Sequence, residues 1–291
     1  MERDSENSSH STPVVTRPVA ADWLGLRRAA DHRARHNAAP VIERISSWLR
    51  DGLTANQAAV IIDLGAGTGS NQAWLAPRLT APQQWILVDH DASLLDVSTA
   101  TDTEQVKSTI RMVGTVNQLP DLIASEAPTL VTCAALLDLL SPSEAALIAE
   151  TVASTQAAAL LSLTVTGEVS LTPEDPVDHQ IAAAFDAHQR REDLLGPDAA
   201  ETVAGLLRDH GANVEVVQTD WVLDASQPEF VERYLTDRAD AAVEQNPHLA
   251  DAAQQWVQRR LVQLEQGQLT VRVGHQDVVC IPEARAAEST G

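Results

Sequence analysis

Val60-Ile61-Ile62-Asp63-Leu64-Gly65-Ala66-Gly67-Thr68-Gly69-Ser70 reads as an apolar run that breaks into glycines at alternate positions. The run Val60-Ile61-Ile62 suits a strand buried on both faces, as in a parallel sheet. Asp63 closes that strand. Gly65, Gly67 and Gly69 then form a turn in which no Cβ stands between the backbone and a ligand. Asn71 to Leu79 follows as a helix, whose first N–H groups attract an anionic ligand group. Strand, glycine turn and helix in that order make a site for a nucleotide-type cofactor.

The spacing of the glycines narrows the choice. A dinucleotide fingerprint places its third glycine three residues after the second. Here Gly69 falls only two after Gly67, and Ser70 comes next. A second apolar run, Trp85-Ile86-Leu87-Val88-Asp89, ends in an acid twenty positions after Gly69. An acid at the tip of a second strand can accept hydrogen bonds from both hydroxyls of a ribose. The D-x-G-x-G-x-G form from Asp63 to Gly69 resembles motif I of the class I S-adenosylmethionine (SAM) dependent methyltransferases.

Outward from this motif the chain alternates strands and helices. Strands are expected at Ala59–Leu64, Gln84–Asp89, Thr109–Val116, Thr129–Ala135, Ala158–Thr166 and Val214–Leu223, with a last one at Leu269–Ile281 bent at Gly274. Helices are expected at about Ala92–Ala100, from Ser141 to Ser154, at Pro176–Arg191, and after Asp198 as far as Gly211. Ser141-Pro142-Ser143-Glu144 carries a cap, a first-turn proline and the acid of a capping box, and Asp198 with Glu201 offers a second such box. Two more helices, Pro228–Gln245 and His248–Gln266, are broken at Asn246-Pro247. The alternation implies a parallel sheet covered on both faces.

The order also matches the whole class I methyltransferase pattern. The resemblance implies a Rossmann-like α/β fold with seven strands in the order 3-2-1-4-5-7-6, the last antiparallel, over about residues 56 to 283. V-T-C-A-A-L-L-D-L-L-S-P resembles the family's motif after strand four. G-T-G-S-N-Q-A-W-L-A-P-R-L, A-F-D-A-H-Q-R-R and V-G-H-Q-D-V-V resemble a bacterial subgroup that brings no substrate with it. Residues 1–19 read as a disordered tail and 20–55 as a helical cap. Residues 56–283 form the SAM-binding domain, with helical inserts at 171–195 and 226–267. Residues 284–291 read as a flexible tail.

By this resemblance, SAM is the cofactor. Gly65, Ala66, Gly67 and Gly69 pass beside its methionine part, with Asn71 starting the next helix. Asp63 orients the loop or contacts the amino group. Asp89 holds the ribose hydroxyls and His90 lies beside the adenine. Where the family often has an acid near the end of strand three, this chain has Thr115 and Val116, so adenine recognition falls to a hydroxyl, a backbone group or Asn117. Cys133 and Ala134 lie under the methionine and the methyl.

A base is needed only where the methyl acceptor arrives protonated. Asp138, His179 and His188 are the candidates on segments that roof the site. His179 and His188 are nine apart on one helix, so at most one of them points inward, and His188 is preferred. Arg190 beside it could bind a carboxylate or phosphate. The helical stretch Ala20–Asn37 carries Arg27, Arg28, Arg33 and Arg35. It reads either as a solvated face or as a lid whose Arg35 meets the SAM carboxylate or an anionic substrate. His32 and His36 have a metal-binding separation but no acid-rich partner, and no metal is expected.

Composition sets limits on the partners. The chain has 291 residues, 44 % of them apolar, and a net charge of −21 from 20 basic and 41 acidic side chains. That field disfavours nucleic acid and anionic membranes. Cys133 and Cys280 are the only cysteines and provide neither a disulfide framework nor a zinc site. No apolar leader and no run of about 18 apolar residues is seen, so a cytoplasmic protein is expected. No N-P-P-Y motif follows strand four. The reading is transfer of a methyl group to oxygen or nitrogen of a small molecule. The alternatives are an RNA or protein methyltransferase, and a non-catalytic SAM-binding regulator dimerising through Ala225–Gln266.

Overall fold

A computed structural model describes residues 21–98, 101, 103–123 and 126–283, so both expected tails lie outside the described residues. In chain order the helices and strands are α1 (Ala21–Ala34), α2 (Ala39–Asp51), β1 (Ala59–Leu64), α3 (Ser70–Leu75), β2 (Gln83–Asp89) and α4 (Ala92–Val97). Then come β3 (Val106–Val113), α5 (Leu119–Leu122), β4 (Thr129–Ala134), α6 (Pro142–Thr155), β5 (Ala158–Thr172) and α7 (Asp178–Gln189). The remainder is α8 (Ala199–Asp209), β6 (Val214–Gln218), β7 (Trp221–Leu223), α9 (Pro228–Gln245), α10 (Ala250–Glu265) and β8 (Thr270–Cys280).

The sheet runs β3-β2-β1-β4-β5-β8-β6, with β7 also paired to β8. β1 to β5 are parallel neighbours and β8 is antiparallel to β5, β6 and β7. Apart from the added β7, this is the Rossmann-like strand order of the class I methyltransferases. The two-residue period of β1 explains the layering. Ile62 and Leu64 pack with Ile148 and Val152 of α6 and Val203 and Leu207 of α8. Ile61 packs on the other face with Ile45 and Leu49 of α2 and Trp74 and Leu75 of α3. A third cluster joins α9, α10 and β8 through Phe230, Trp256, Leu264 and Val271.

Local expectations held where side chains settle the backbone. Ser141 accepts the Glu144 N–H and Glu144 accepts the Ser141 N–H, with Pro142 opening α6. Four expectations are corrected. The third strand ends at Val113, so Thr115 and Val116 lie beyond it in a short turn that Thr115 caps. β5 runs on to Thr172 because β8 continues to offer partners, from Val169 opposite Val273 to Thr172 opposite Thr270. The sixth strand is split at Thr219-Asp220, where the Asp220 carboxylate takes the His275 N–H. Asp198 caps nothing, because its carboxylate is held by Arg190 at 2.9 and 3.0 Å.

Gly274 lies where the β5–β8 register shifts, between Val273 and His275. A Cβ there would meet Thr166 Oγ1 and the side chain and carbonyl of Glu168. Gly274→Ala is expected to lower unfolding free energy by about 1–3 kcal/mol. Urea denaturation would measure it, and an unchanged midpoint would refute the close packing.

Candidate functional site

The parallel strands β1, β2, β4 and β5 end at one edge of the sheet, where such folds bind ligands. A cavity of about 390 Å³ opens there. Its floor is the glycine turn, Gly65 to Gly67, with Asp89, His90 and Ala134. Its roof is α1, through Trp23, Leu24, Arg27, Asp31 and His32. The far wall comes from α7, α9 and β8.

The turn has the conformation that its glycines permit. Gly65, Gly67 and Gly69 have φ of 62°, 51° and 81°, values that a side chain would disfavour. Asp89 ties the turn to the tip of β2. Its Oδ2 accepts the Gly67 N–H at 2.7 Å and its Oδ1 accepts the Asp91 N–H at 2.9 Å. Each oxygen keeps a lone pair for a ligand hydroxyl. His90 Nδ1 lies 3.4 Å from the same carboxylate. A smaller cavity of about 50 Å³ shares Gly65, Asp89 and His90 and is closed by Gly114, Thr115 and Val116.

Beneath the turn is a buried polar network. Asn71 Nδ2 donates to Asp63 Oδ1 at 2.6 Å and to Thr132 Oγ1 at 3.2 Å, and Thr132 in turn donates to the Leu160 carbonyl. Asp63 is fully buried, and desolvation pushes its pKa up to about 7 against the opposing pull of Asn71 and Arg35. Asn71 Oδ1 and Asp63 Oδ2 are buried with no hydrogen-bond partner. Arg35 is 1 % exposed, lies 3.9 Å over the Trp74 ring, and donates to Ser162 Oγ at 3.3 Å. Its Nε has no partner, and burial lowers its pKa.

This donor set fits SAM. Asp89 suits the ribose diol, and the orphaned Asn71 oxygen suits an α-ammonium. Arg35 suits the carboxylate. The small cavity beside Thr115 and Val116 has the position for a base ring. Asp63 and Cys133 do not line the main cavity. Cys133 is buried in the core, and burial pushes its thiol above the usual range, which leaves it a packing residue.

The expected acceptor residues separate. Asp138 lines the cavity, and desolvation pushes its carboxyl up to about 6. His188 Nε2 contacts Glu244 at 3.0 Å and Arg191, and does not line the cavity. His179 is exposed. Arg190 is exposed and paired with Asp198.

Other lining residues had not been singled out from the sequence. The chain has six Trp, one Tyr and two Phe, and Trp23, Trp221, Phe185 and the lone Tyr234 all line this one cavity. Trp221 lies against the His275 ring at 4.5 Å, tilted by 41°, and donates Nε1–H to Asp31 at 3.0 Å. His275 donates Nδ1–H to the Val273 carbonyl, which leaves Nε2 as an acceptor, and burial lowers its pKa to about 4. Leu163 adopts φ 57° in a bulge of β5 and is held there by the Asp277 carboxylate, which accepts its N–H at 2.8 Å. These residues are far apart in sequence. Phe185 and His275 fall in the stretches A-F-D-A-H-Q-R-R and V-G-H-Q-D-V-V, and Arg238 shows as a charge in the helical register Phe230, Tyr234, Arg238, Ala242.

No protein-family model and no curated protein matches the chain. Solved structures similar to it include a cyclopropane-fatty-acyl-phospholipid synthase-like protein from Lactobacillus casei, 13 % identical over 91 % of this chain and 94 % of that one, with a TM-score of 0.49. A putative sarcosine dimethylglycine methyltransferase from Galdieria sulphuraria is 12 % identical over 86 % and 85 %, with a TM-score of 0.44. A cyclopropane synthase from Mycobacterium tuberculosis is 12 % identical over 81 % and 82 %, with a TM-score of 0.41. None of these three reaches a TM-score of 0.5, so the fold assignment stands on the strand order.

Proposed function

We propose that the chain is a SAM-dependent methyltransferase acting on oxygen or nitrogen of a small-molecule acceptor. The observation that carries this reading is the Asp89 carboxylate bonded to the Gly67 N–H at the edge of the main cavity. It joins both sequence signals in one site. SAM supplies a methyl already activated on a sulfonium. The chain's part is to bind, to align and to exclude water. Asn71, Arg35 and Asp89 hold the cofactor, and the wall of Trp23, Trp221, Phe185 and Tyr234 shields the acceptor half.

Asp138 is the residue that takes a proton from the acceptor. Of the three candidates it is the one on the cavity, and its raised pKa near 6 suits a base at neutral pH. His179 and Arg190 then serve the surface in and just after α7, and His188 ties α7 to Glu244 of α9. A small acceptor is favoured over RNA because three arginines of the basic segments are already held by carboxylates. Arg27 pairs with Asp31 at 2.9 Å, Arg190 with Asp198 at 2.9 Å and Arg191 with Glu244 at 2.8 Å.

Calorimetric titration with SAM, with NAD as the control ligand, tests the cofactor. Binding of NAD and not SAM would overturn the reading. A labelled methyl group followed into a metabolite extract then finds the acceptor. With that acceptor, kcat/KM is expected to rise with pH through about 6 as Asp138 loses its proton. Asp138→Asn should lose this inflection and fall by roughly 10²–10⁴-fold. The same shift has a stability consequence without any acceptor. The folded chain holds the Asp138 proton between the ordinary value of 3.8 and about 6, so this group's contribution to stability falls as pH rises through that window. Asp138→Asn should remove that part of the slope in melts taken from pH 4 to 7. An unchanged rate profile in the variant would remove Asp138 from the mechanism.

A further inference from the structure

The half of the cavity away from the glycine turn holds a buried charge with no ion-pair partner among the described residues. Arg238 is 4 % exposed and lines the cavity. Its guanidinium lies 4.2 Å over the Phe185 ring, and Nη1 donates to the Tyr234 hydroxyl at 3.4 Å. Nη2 is buried with no hydrogen-bond partner, and among the described residues no carboxylate lies within 4.0 Å of Arg238. Two acids are near. Asp237 is taken by Arg233 at 2.8 Å. Asp186 is close enough for its charge to interact with Arg238, and desolvation raises its pKa.

The contrast with Arg260 shows what a structural arginine looks like in this fold. Arg260 is 0 % exposed and meets the Asp178 carboxylate, the Pro173 carbonyl and Gln263. An unmatched buried guanidinium is costly unless something brings it an anion. Arg35 is also buried, but it belongs to the cofactor half, near Asp63 and Asp277. Arg27 is matched by Asp31. Arg238 is therefore the open cation of the acceptor half, and flat aromatic surfaces surround it.

We propose that Arg238 is the specificity residue for an acceptor carrying a carboxylate, whose planar apolar body lies along Phe185, Trp221 and Tyr234. The fork of Nη1 and Nη2 matches the two oxygens of a carboxylate. This rests on the methyltransferase reading of the same cavity, and deepens it by naming the acceptor class.

The test is calorimetric titration of the full chain, saturated with S-adenosylhomocysteine, with cinnamate and with its uncharged isostere cinnamamide. Cinnamate is expected to bind at least tenfold more tightly than the amide. Arg238→Gln should remove that preference and leave cinnamamide unchanged, and Arg238→Lys should restore part of it. Affinity for S-adenosylhomocysteine should be equal in all three proteins. Equal binding of the two probes to the unaltered chain overturns the proposal, as does a preference that survives Arg238→Gln or the absence of binding by either probe. The unaltered chain decides the matter even if Arg238→Gln does not fold. Failure of the cofactor reading is separately visible as no heat from S-adenosylhomocysteine, and the same probe pair titrated without it still reads Arg238.

Discussion

Asp89→Ala is expected to weaken SAM binding by at least a hundredfold. Hydrogen bonds to a charged group are worth about 1.5–3 kcal/mol each, and the carboxylate has two oxygens to offer a ribose diol. Losing both interactions corresponds to a fall of roughly 10²–10⁴ in affinity. A second loss adds to the first. The carboxylate accepts the N–H groups of Gly67 and Asp91 at 2.7 and 2.9 Å, so the alanine variant releases the turn that borders the cofactor half. The unliganded variant should therefore also melt earlier, by about 1–3 kcal/mol for the donors left unmatched. Calorimetry with SAM measures the first effect and urea denaturation the second. An affinity within threefold of the unaltered chain would remove Asp89 from the cofactor site. Lost stability with intact affinity would leave it a tie for the turn alone.

Asp178→Ala is the largest expected effect on folding. Arg260 has no exposed surface, and the Asp178 carboxylate faces its Nη2. The same carboxylate accepts the Trp256 Nε1–H at 2.7 Å, and the neighbouring Asp175 accepts from Arg259 at 2.7 and 3.1 Å. These contacts fasten the start of α7 to α10. Removing the carboxylate strands a buried cation, which costs about 3–5 kcal/mol. That is a large fraction of the stability of a typical domain. The loss should reach the site as well, because α7 carries Phe185 and Gln189 into the cavity. Urea denaturation of Asp178→Ala beside Asp178→Asn measures the cost. A loss below 1 kcal/mol in the alanine variant would show that Arg260 finds another partner.

Half of the cofactor site was legible because its chemistry is local. Gly65, Gly67 and Gly69 must turn the backbone, Asp89 must sit where the second apolar run ends, and the Ser141 capping box specifies its own helix. The glycines and the capping box are explained by neighbours two to four residues away, and Asp89 by its place at the end of an apolar run. The sheet order followed from alternation plus resemblance. The extra strand β7 did not, because the break at Asp220 exists only once β8 brings the His275 N–H to it. Thr115 was placed at a strand end, and instead caps a turn, since its side chain found the Asn117 N–H beyond Val113.

The strand, the glycine turn, the acid at the next strand tip and the alternating order that sets them at one sheet edge are all readable from the residues alone. All of these depend on backbone conformation and a periodic apolar pattern, and both are written in short stretches. Tertiary structure alone decided the acceptor half. Trp23, Phe185, Trp221, Tyr234, Arg238 and His275 come from α1, α7, β7, α9 and β8, and only packing puts them around one cavity. It also separated the ionisable candidates, placing Asp138 on the cavity and His188 against Glu244. Burial and charge matching are properties of neighbours in space. For a side chain on a helix, the residue that neutralises it can lie far along the chain, as Asp178 lies 82 positions from Arg260.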